Sequence, residues 1–176
     1  MLRTLVIATA VALTLAGLAL ALPQKDTVTL TANLKARFEV PKPSGIRAGA
    51  GGLFTGKAVE LANDRARLTW RLTFSKLTGR AMAAHIHVGR AGKAGGVMVA
   101  LCGPCRSGQR GTANITHAKL RTIRSGGTYV NVHTAKNAAG EIRGQVKASG
   151  SSGSNPGPTP PPTPEPPPPP YDPDYP

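Results

Sequence analysis

From Val28 the chain alternates. Val28, Leu30, Ala32, Leu34, Ala36, Phe38 and Val40 are apolar, and Thr29, Thr31, Asn33, Lys35, Arg37 and Glu39 fall between them. Successive strand side chains point to opposite faces, so a period of two predicts a half-buried strand, or a strand with a bend. Asn63-Asp64 marks a turn. Beyond it Leu68, Trp70, Leu72 and Phe74 alternate with Thr69, Arg71, Thr73 and Ser75, a second amphipathic strand with Trp70 inward. Shorter runs of the same kind cover 83–88, 97–101, 111–115, 128–133 and 141–146, separated by glycine-rich breaks. Only 117–123 carries a helical pattern. Roughly seven to eight short strands predict an all-β domain, either an antiparallel β-sandwich or a partly closed barrel.

The same period sorts the chemistry. In the run Ala84 to Gly89 (Ala-His-Ile-His-Val-Gly), Ala84, Ile86 and Val88 share one face, and His85 and His87 the other. In the run from Tyr129, Val130 and Val132 oppose Tyr129, Asn131 and His133. In the last run, Ile142, Gly144 and Val146 oppose Glu141, Arg143 and Gln145. With the apolar sets facing the core, the polar sets face outward or lie under a loop. If the three strands are neighbours, all eight polar side chains join in one patch.

Three neutral imidazoles are ligands for copper or zinc, and His-x-His on one strand is a good bidentate start. His85, His87 and His133 are therefore a candidate metal site with an open position. The alternative is that these histidines hydrogen-bond to loops and to Glu141 and organise the sheet. Arg143 has a similar choice: a structural pair with Glu141 or Asp64, or a guanidinium offered to a carboxylate or phosphate. The copper/zinc superoxide dismutases also place His-x-His on a β-sandwich, but they use further histidines and an aspartate. This chain adds only His117, and no aspartate lies between Asp64 and Asp172. No serine or cysteine has a convincing base and orienter beside it, and acids are too few for paired-carboxylate hydrolysis. The chain is not expected to be an enzyme.

Charge adds a second theme. The chain carries 22 basic and 8 acidic side chains, a net +14. The basic side chains concentrate in 22–150, where 21 stand against 5 acids, while the tail holds Glu165, Asp172, Asp174 and no base. Such a domain is drawn to anionic surfaces, with an anionic polysaccharide or envelope polymer as the expected partner. The bases are scattered along the strands, and the chain has only 3 Phe, 3 Tyr and 1 Trp, so specific nucleic-acid binding is not expected. Self-assembly through strand edges is a further expectation.

Cys102 and Cys105 are the only cysteines. Cys-Gly-Pro-Cys matches the thioredoxin tetrapeptide, but the following Arg106 to Gly111 is loop chemistry and not a helix start. A disulfide clamping a turn is the expectation, with redox activity and metal ligation as alternatives. The ends frame the domain. Residues 1–21 read as a secretory signal peptide, with Arg3, an apolar run and an Ala19-Leu20-Ala21 cleavage site; a retained anchor is the alternative. Residues 25–148 read as the β domain, and 149–176 as a Gly/Ser/Pro linker and proline-rich tail. The chain is thus expected to be secreted, extracellular or periplasmic, with no membrane span after cleavage.

The order Ala-His-Ile-His-Val-Gly at 84–89, Gly-Lys-Ala-Gly-Gly-Val-Met-Val at 92–99, Gly-Thr-Tyr-Val-Asn-Val-His-Thr at 127–134 and Gly-Glu-Ile-Arg-Gly-Gln at 140–145 resembles the CHRD domain, the module named after chordin. The resemblance covers about residues 27–147. It implies a secreted all-β domain without established catalysis, and it supplies no substrate. Function is therefore expected to be that of a non-catalytic binding or structural module with affinity for anionic polymers. The alternatives are a copper- or zinc-binding protein and a self-assembling structural subunit.

Overall fold

A computed structural model of the chain describes residues 27–150. The signal-peptide and proline-tail expectations fall on residues outside that range. The chain folds as nine strands and one helix: β1 (Thr27–Lys35), β2 (Gly51–Leu61), β3 (Arg65–Ser75), β4 (Ala81–Val88), β5 (Val97–Cys102), β6 (Gln109–Thr116), α1 (His117–Arg124), β7 (Thr128–Thr134), β8 (Ile142–Gln145) and β9 (Lys147–Ser149). All join one antiparallel sheet in the order β5-β4-β7-β8-β1-β2-β3-β6, with β9 also pairing β1. The end strands β5 and β6 approach each other, so the sheet nearly closes into an eight-stranded barrel. Of the two expected architectures, the barrel is the one formed.

The alternating residues build the interior. Val28, Leu30, Ala32 and Leu34 of β1 are buried, as are Ala66, Leu68, Trp70 and Leu72 of β3. They meet Ile86 of β4, Val130 and Val132 of β7 and Ile142 of β8 in one core. At about 25 cal/mol per Å² of apolar surface, this burial is the main drive for closure. The alternation after Val28 does bend: β1 stops at Lys35, and Ala36–Phe38 form a 3-10 turn. That turn lifts Phe38 into solvent and carries Glu39 inward, where it is buried. The helix closes one end of the core. Thr116 caps it by accepting from the Lys119 amide, and Leu120 and Ile123 turn inward.

β2 was not among the strands predicted from alternation, and its glycines explain why. A Cβ at Gly52 would stand 2.5 Å from the Thr73 carbonyl oxygen, and one at Gly51 would stand 2.9 Å from that of Leu34. The neighbouring backbones pass too close for side chains, so the apolar alternation is interrupted where the strand is most constrained. The turn at Asn63-Asp64 forms as expected, with both residues in the left-handed region at φ 59° and 55°. Asparagine and aspartate are the non-glycine residues that best tolerate it. The predicted strand 141–146 is instead two short strands broken at Val146, with Glu141 in a bend before β8.

Cys102 and Cys105 form a disulfide at the end of β5, and the chain then turns into β6 without a helix. The Cys105 amide donates to the Ala81 carbonyl at 3.0 Å, which ties this turn to the start of β4.

Glycine placement gives a direct test. Gly52→Ala pushes a methyl onto fixed backbone and is expected to cost about 1–3 kcal/mol. Gly79→Ala meets nothing within 4 Å and is expected to stay within about 0.5 kcal/mol of the parent. Urea denaturation of both variants beside the parent decides it; equal midpoints contradict the close approach.

Candidate functional site: the outer face of β4, β7 and β8

β4, β7 and β8 are neighbours, which brings His85, His87, Tyr129, Asn131, His133, Arg143 and Gln145 onto one outer face, while Glu141 turns aside to Thr134, which shares the inward period of Val130 and Val132. The face does not lie open. Residues 89–96, between β4 and β5, fold over it and are fastened by the side chains beneath. His87 Nδ1 meets the Gly95 carbonyl at 2.9 Å. The Tyr129 hydroxyl accepts from the Gly95 amide at 3.2 Å. Arg143 Nη2 donates to the Arg90 and Lys93 carbonyls at 3.0 and 2.8 Å, and Gln145 Nε2 donates to the Gly89 carbonyl at 2.7 Å. Tyr129 and Arg143 are buried beneath it, while Asn131 and Glu141 are buried beside residues 137–139. Of the two placements open to the polar set, the one under a loop is realised.

Under that cover the patch separates into three groups. The first is the histidine cluster. His85 and His87 stand on β4; His133 stands on β7 opposite Ala83. One nitrogen from each ring lies within 4.8 Å of those of the other two. His85 Nδ1 and His133 Nε2 are already 3.1 Å apart. Two rings are locked from behind: His133 Nδ1 meets the Ala138 carbonyl at 2.9 Å, as His87 Nδ1 meets that of Gly95. A carbonyl acceptor fixes the proton on Nδ1, so the lone pair of each ring sits on Nε2. His87 is 8 % exposed, and its Nε2 is buried with no hydrogen-bond partner.

Burial lowers the pKa of His85, helped by the neighbouring His133 and His87. Burial also lowers that of His133, against the bond to Ala138 and with the help of His87. Both are held neutral at neutral pH, the form that binds a metal.

The second group surrounds Glu141, which contacts no histidine. Its carboxylate accepts from the Thr134 hydroxyl at 2.6 Å, the Thr78 amide at 2.6 Å, the Thr78 hydroxyl, and Asn137 Nδ2 at 3.2 Å. Burial pushes the carboxyl up, but these donors together hold it below its usual value. The group ties β7 to the 76–80 turn and, through Asn137 and Ser44, to the long β1–β2 connection.

The third group is Arg143, which pairs with neither Glu141 nor Asp64. The expected partnerships fail because Glu141 is taken by its four donors, while Asp64 sits 3.6 Å from His117 at the far end of β3. Arg143 lies instead with its guanidinium carbon 3.4 Å above the Tyr129 ring, and Tyr129 stacks on His87 at 5.0 Å and 10°. Its nearest acid is Glu39, whose carboxyl is raised by burial, against its bond to the Val40 amide and the charge of Arg143. Glu39, Thr78 and Asn137 were not expected at this face. The loop carbonyls were equally unforeseen, since a backbone acceptor leaves no mark in a side-chain pattern.

A family model described as the CHRD domain matches residues 30–146. The chain belongs to the CHRD family. Comparison with curated proteins and with solved structures found no match. The family match runs from within β1 through β8 and includes every residue of the covered face. CHRD domains are generally non-enzymatic and typically extracellular. Among the described residues of this CHRD domain, no helix is long and apolar enough to cross a membrane.

Glu141 supplies a pH test of the face. Its folded carboxyl lies below the unfolded value, so its stabilisation is complete above the ordinary carboxylate range and is lost as pH falls through the folded value. Glu39, with a raised carboxyl, works in the opposite sense, so the parent alone does not isolate the effect. Glu141→Gln is expected to cost about 2–4 kcal/mol at pH 7 and much less at pH 3. A pH-independent difference in denaturation midpoint contradicts the assignment.

Proposed function

We infer that this CHRD domain is a non-catalytic extracellular module that captures one copper or zinc ion between His85, His87 and His133. The observation that carries the reading is the buried Nε2 of His87. It has no partner, its ring is fixed through Nδ1, and two further imidazoles lie beside it. A buried polar atom without a partner costs about 1–3 kcal/mol, a cost that a metal–nitrogen bond removes. Nitrogens around a tetrahedral zinc at about 2.05 Å stand about 3.3 Å apart. The His85–His133 pair is there already at 3.1 Å. The three ligand nitrogens all lie within 4.8 Å of one another.

Three nitrogens leave a fourth position open, and no acid or nucleophile is placed to use it in a reaction. Copper(II) is favoured over zinc by intrinsic affinity. The signal-peptide reading of residues 1–21 supports export, where such a module meets free metal ions.

Calorimetric titration of the full chain with copper(II) and zinc is expected to give one ion per chain, bound tighter than about 10 μM, near −7 kcal/mol. His87→Ala is expected to weaken binding at least 100-fold. His117→Ala is expected to leave it unchanged, because that ring is held apart by Arg65 and Asp64. Affinity is expected to fall below the ordinary imidazole range, where protons compete for the ring nitrogens. No binding, or equal binding by His85→Ala/His87→Ala, overturns the reading.

A further inference from the structure

A groove of about 930 Å³ runs along the outer side of β1, between the 3-10 turn and the β8–β9 strands. It is separate from the histidine cluster: none of the three histidines lines it. Its lining holds five basic side chains, Lys35, Arg37, Lys42, Arg143 and Lys147, against one acid, Glu39. Four of the five are exposed, while Arg143 is 1 % exposed and forms part of the buried wall.

The strand register sets the cations in order. Lys35 stands opposite Arg143, and Thr31 stands opposite Lys147. The two rungs are four residues apart on β1, about 13 Å at the usual strand rise. That spacing suits a chain of repeated charges better than one small anion. Between the rungs the groove offers a neutral hydrogen-bonding group, the exposed Asn33 amide. At its rim the Phe38 ring is 45 % exposed, with the Arg37 guanidinium 4.7 Å above it.

Arg143 works from behind the surface. Its Nη2 is spent on two loop carbonyls and its Nη1 is buried, so it adds fixed positive charge to the wall while the exposed lysines are the groups a ligand can touch.

We propose that this groove binds a linear acidic polysaccharide, with its carboxylates on the exposed Lys35 and Lys147 and a sugar face against Phe38. Hydroxyl-rich sugars match the Asn33 amide. A nucleic-acid strand is the less suitable polyanion, because Phe38 is the one aromatic in the lining and bases need successive stacking platforms. The proposal is independent of the metal reading, and its test runs in chelator so that either can fail alone.

The test is binding of the full chain to polygalacturonate in EDTA at several salt concentrations, by calorimetry. The groove variant Lys35→Gln/Lys147→Gln is compared with Arg67→Gln/Arg71→Gln, which removes the same charge from exposed positions on β3. The groove variant is expected to lose at least tenfold in affinity and the β3 variant less than twofold. Phe38→Ala is expected to lose about fivefold with the salt dependence unchanged. Fully methyl-esterified polygalacturonate, which keeps the sugars and loses the charge, is expected not to bind. Equal losses in the two double variants reduce the effect to general surface charge and overturn the proposal. Tighter binding of single-stranded DNA than of polygalacturonate overturns it in favour of a nucleic-acid surface.

Discussion

The backbone carbonyls of residues 89–96 hold the outer face of this barrel together. No strand pairs with this segment along its length, so the carbonyls it turns toward the face take their donors from side chains. The donors come from below: His87, Arg143 and Gln145 each send a side-chain N–H up to the loop. The arrangement satisfies loop and side chains together. It also fixes which imidazole nitrogen keeps its lone pair and which guanidinium nitrogen stays unspent. The proposed histidine site thus takes the orientation of His87 from this segment, while His133 takes its own from Ala138. Gly95 shows how tightly the cover is laid, because a Cβ there would collide with the Val88 carbonyl.

The two sites also share a stack. The guanidinium of Arg143, the ring of Tyr129 and the ring of His87 lie one upon the next, from the groove wall to the histidine cluster. A cation over an aromatic face contributes about 0.5–2 kcal/mol, more when water is excluded. The strand order β4-β7-β8 makes this possible, because it puts those three residues on adjacent strands facing one way. Glu141 is absent from the stack. It works further along β7, holding the turn before β4 and the β1–β2 connection to the barrel.

Period-two alternation was enough to find β1 and β3 and to place His85, His87 and His133 on polar faces. It found them because burial on one face is a local property of each strand. It could not find β2, where Gly51, Gly52 and Gly56 answer the closeness of neighbouring strands and not burial. Nor could it choose between sandwich and barrel, since closure depends on β8 and β9 returning to β1 across more than a hundred residues. The covered face was half legible. Its members were named, but the partners of Glu141 and Arg143 were assigned to charged residues, whereas hydroxyls, amides and carbonyls fill those places. In a chain with so few acids, the buried Glu141 is satisfied by neutral donors, and the buried Arg143 spends its Nη2 on neutral carbonyls.

Charge decides what kind of metal such a domain can hold. Residues 22–150 carry 21 basic and 5 acidic side chains, so the surrounding field repels cations and gathers anions. A site for calcium or magnesium needs several carboxylates, and none lies in the histidine cluster. Affinity there has to come from covalent donation by neutral nitrogens, which suits copper and zinc and depends little on the field. The lowered basicity of His85 and His133 follows from the same burial that keeps them uncharged beside one another. The proposed groove lies in the opposite regime, where the field itself is the attraction and the exposed Lys35 and Lys147 are its contact points. The two proposals thus call on opposite physics in one basic barrel, donor chemistry for a cation and charge for a polyanion, on two sides of a single stack of side chains.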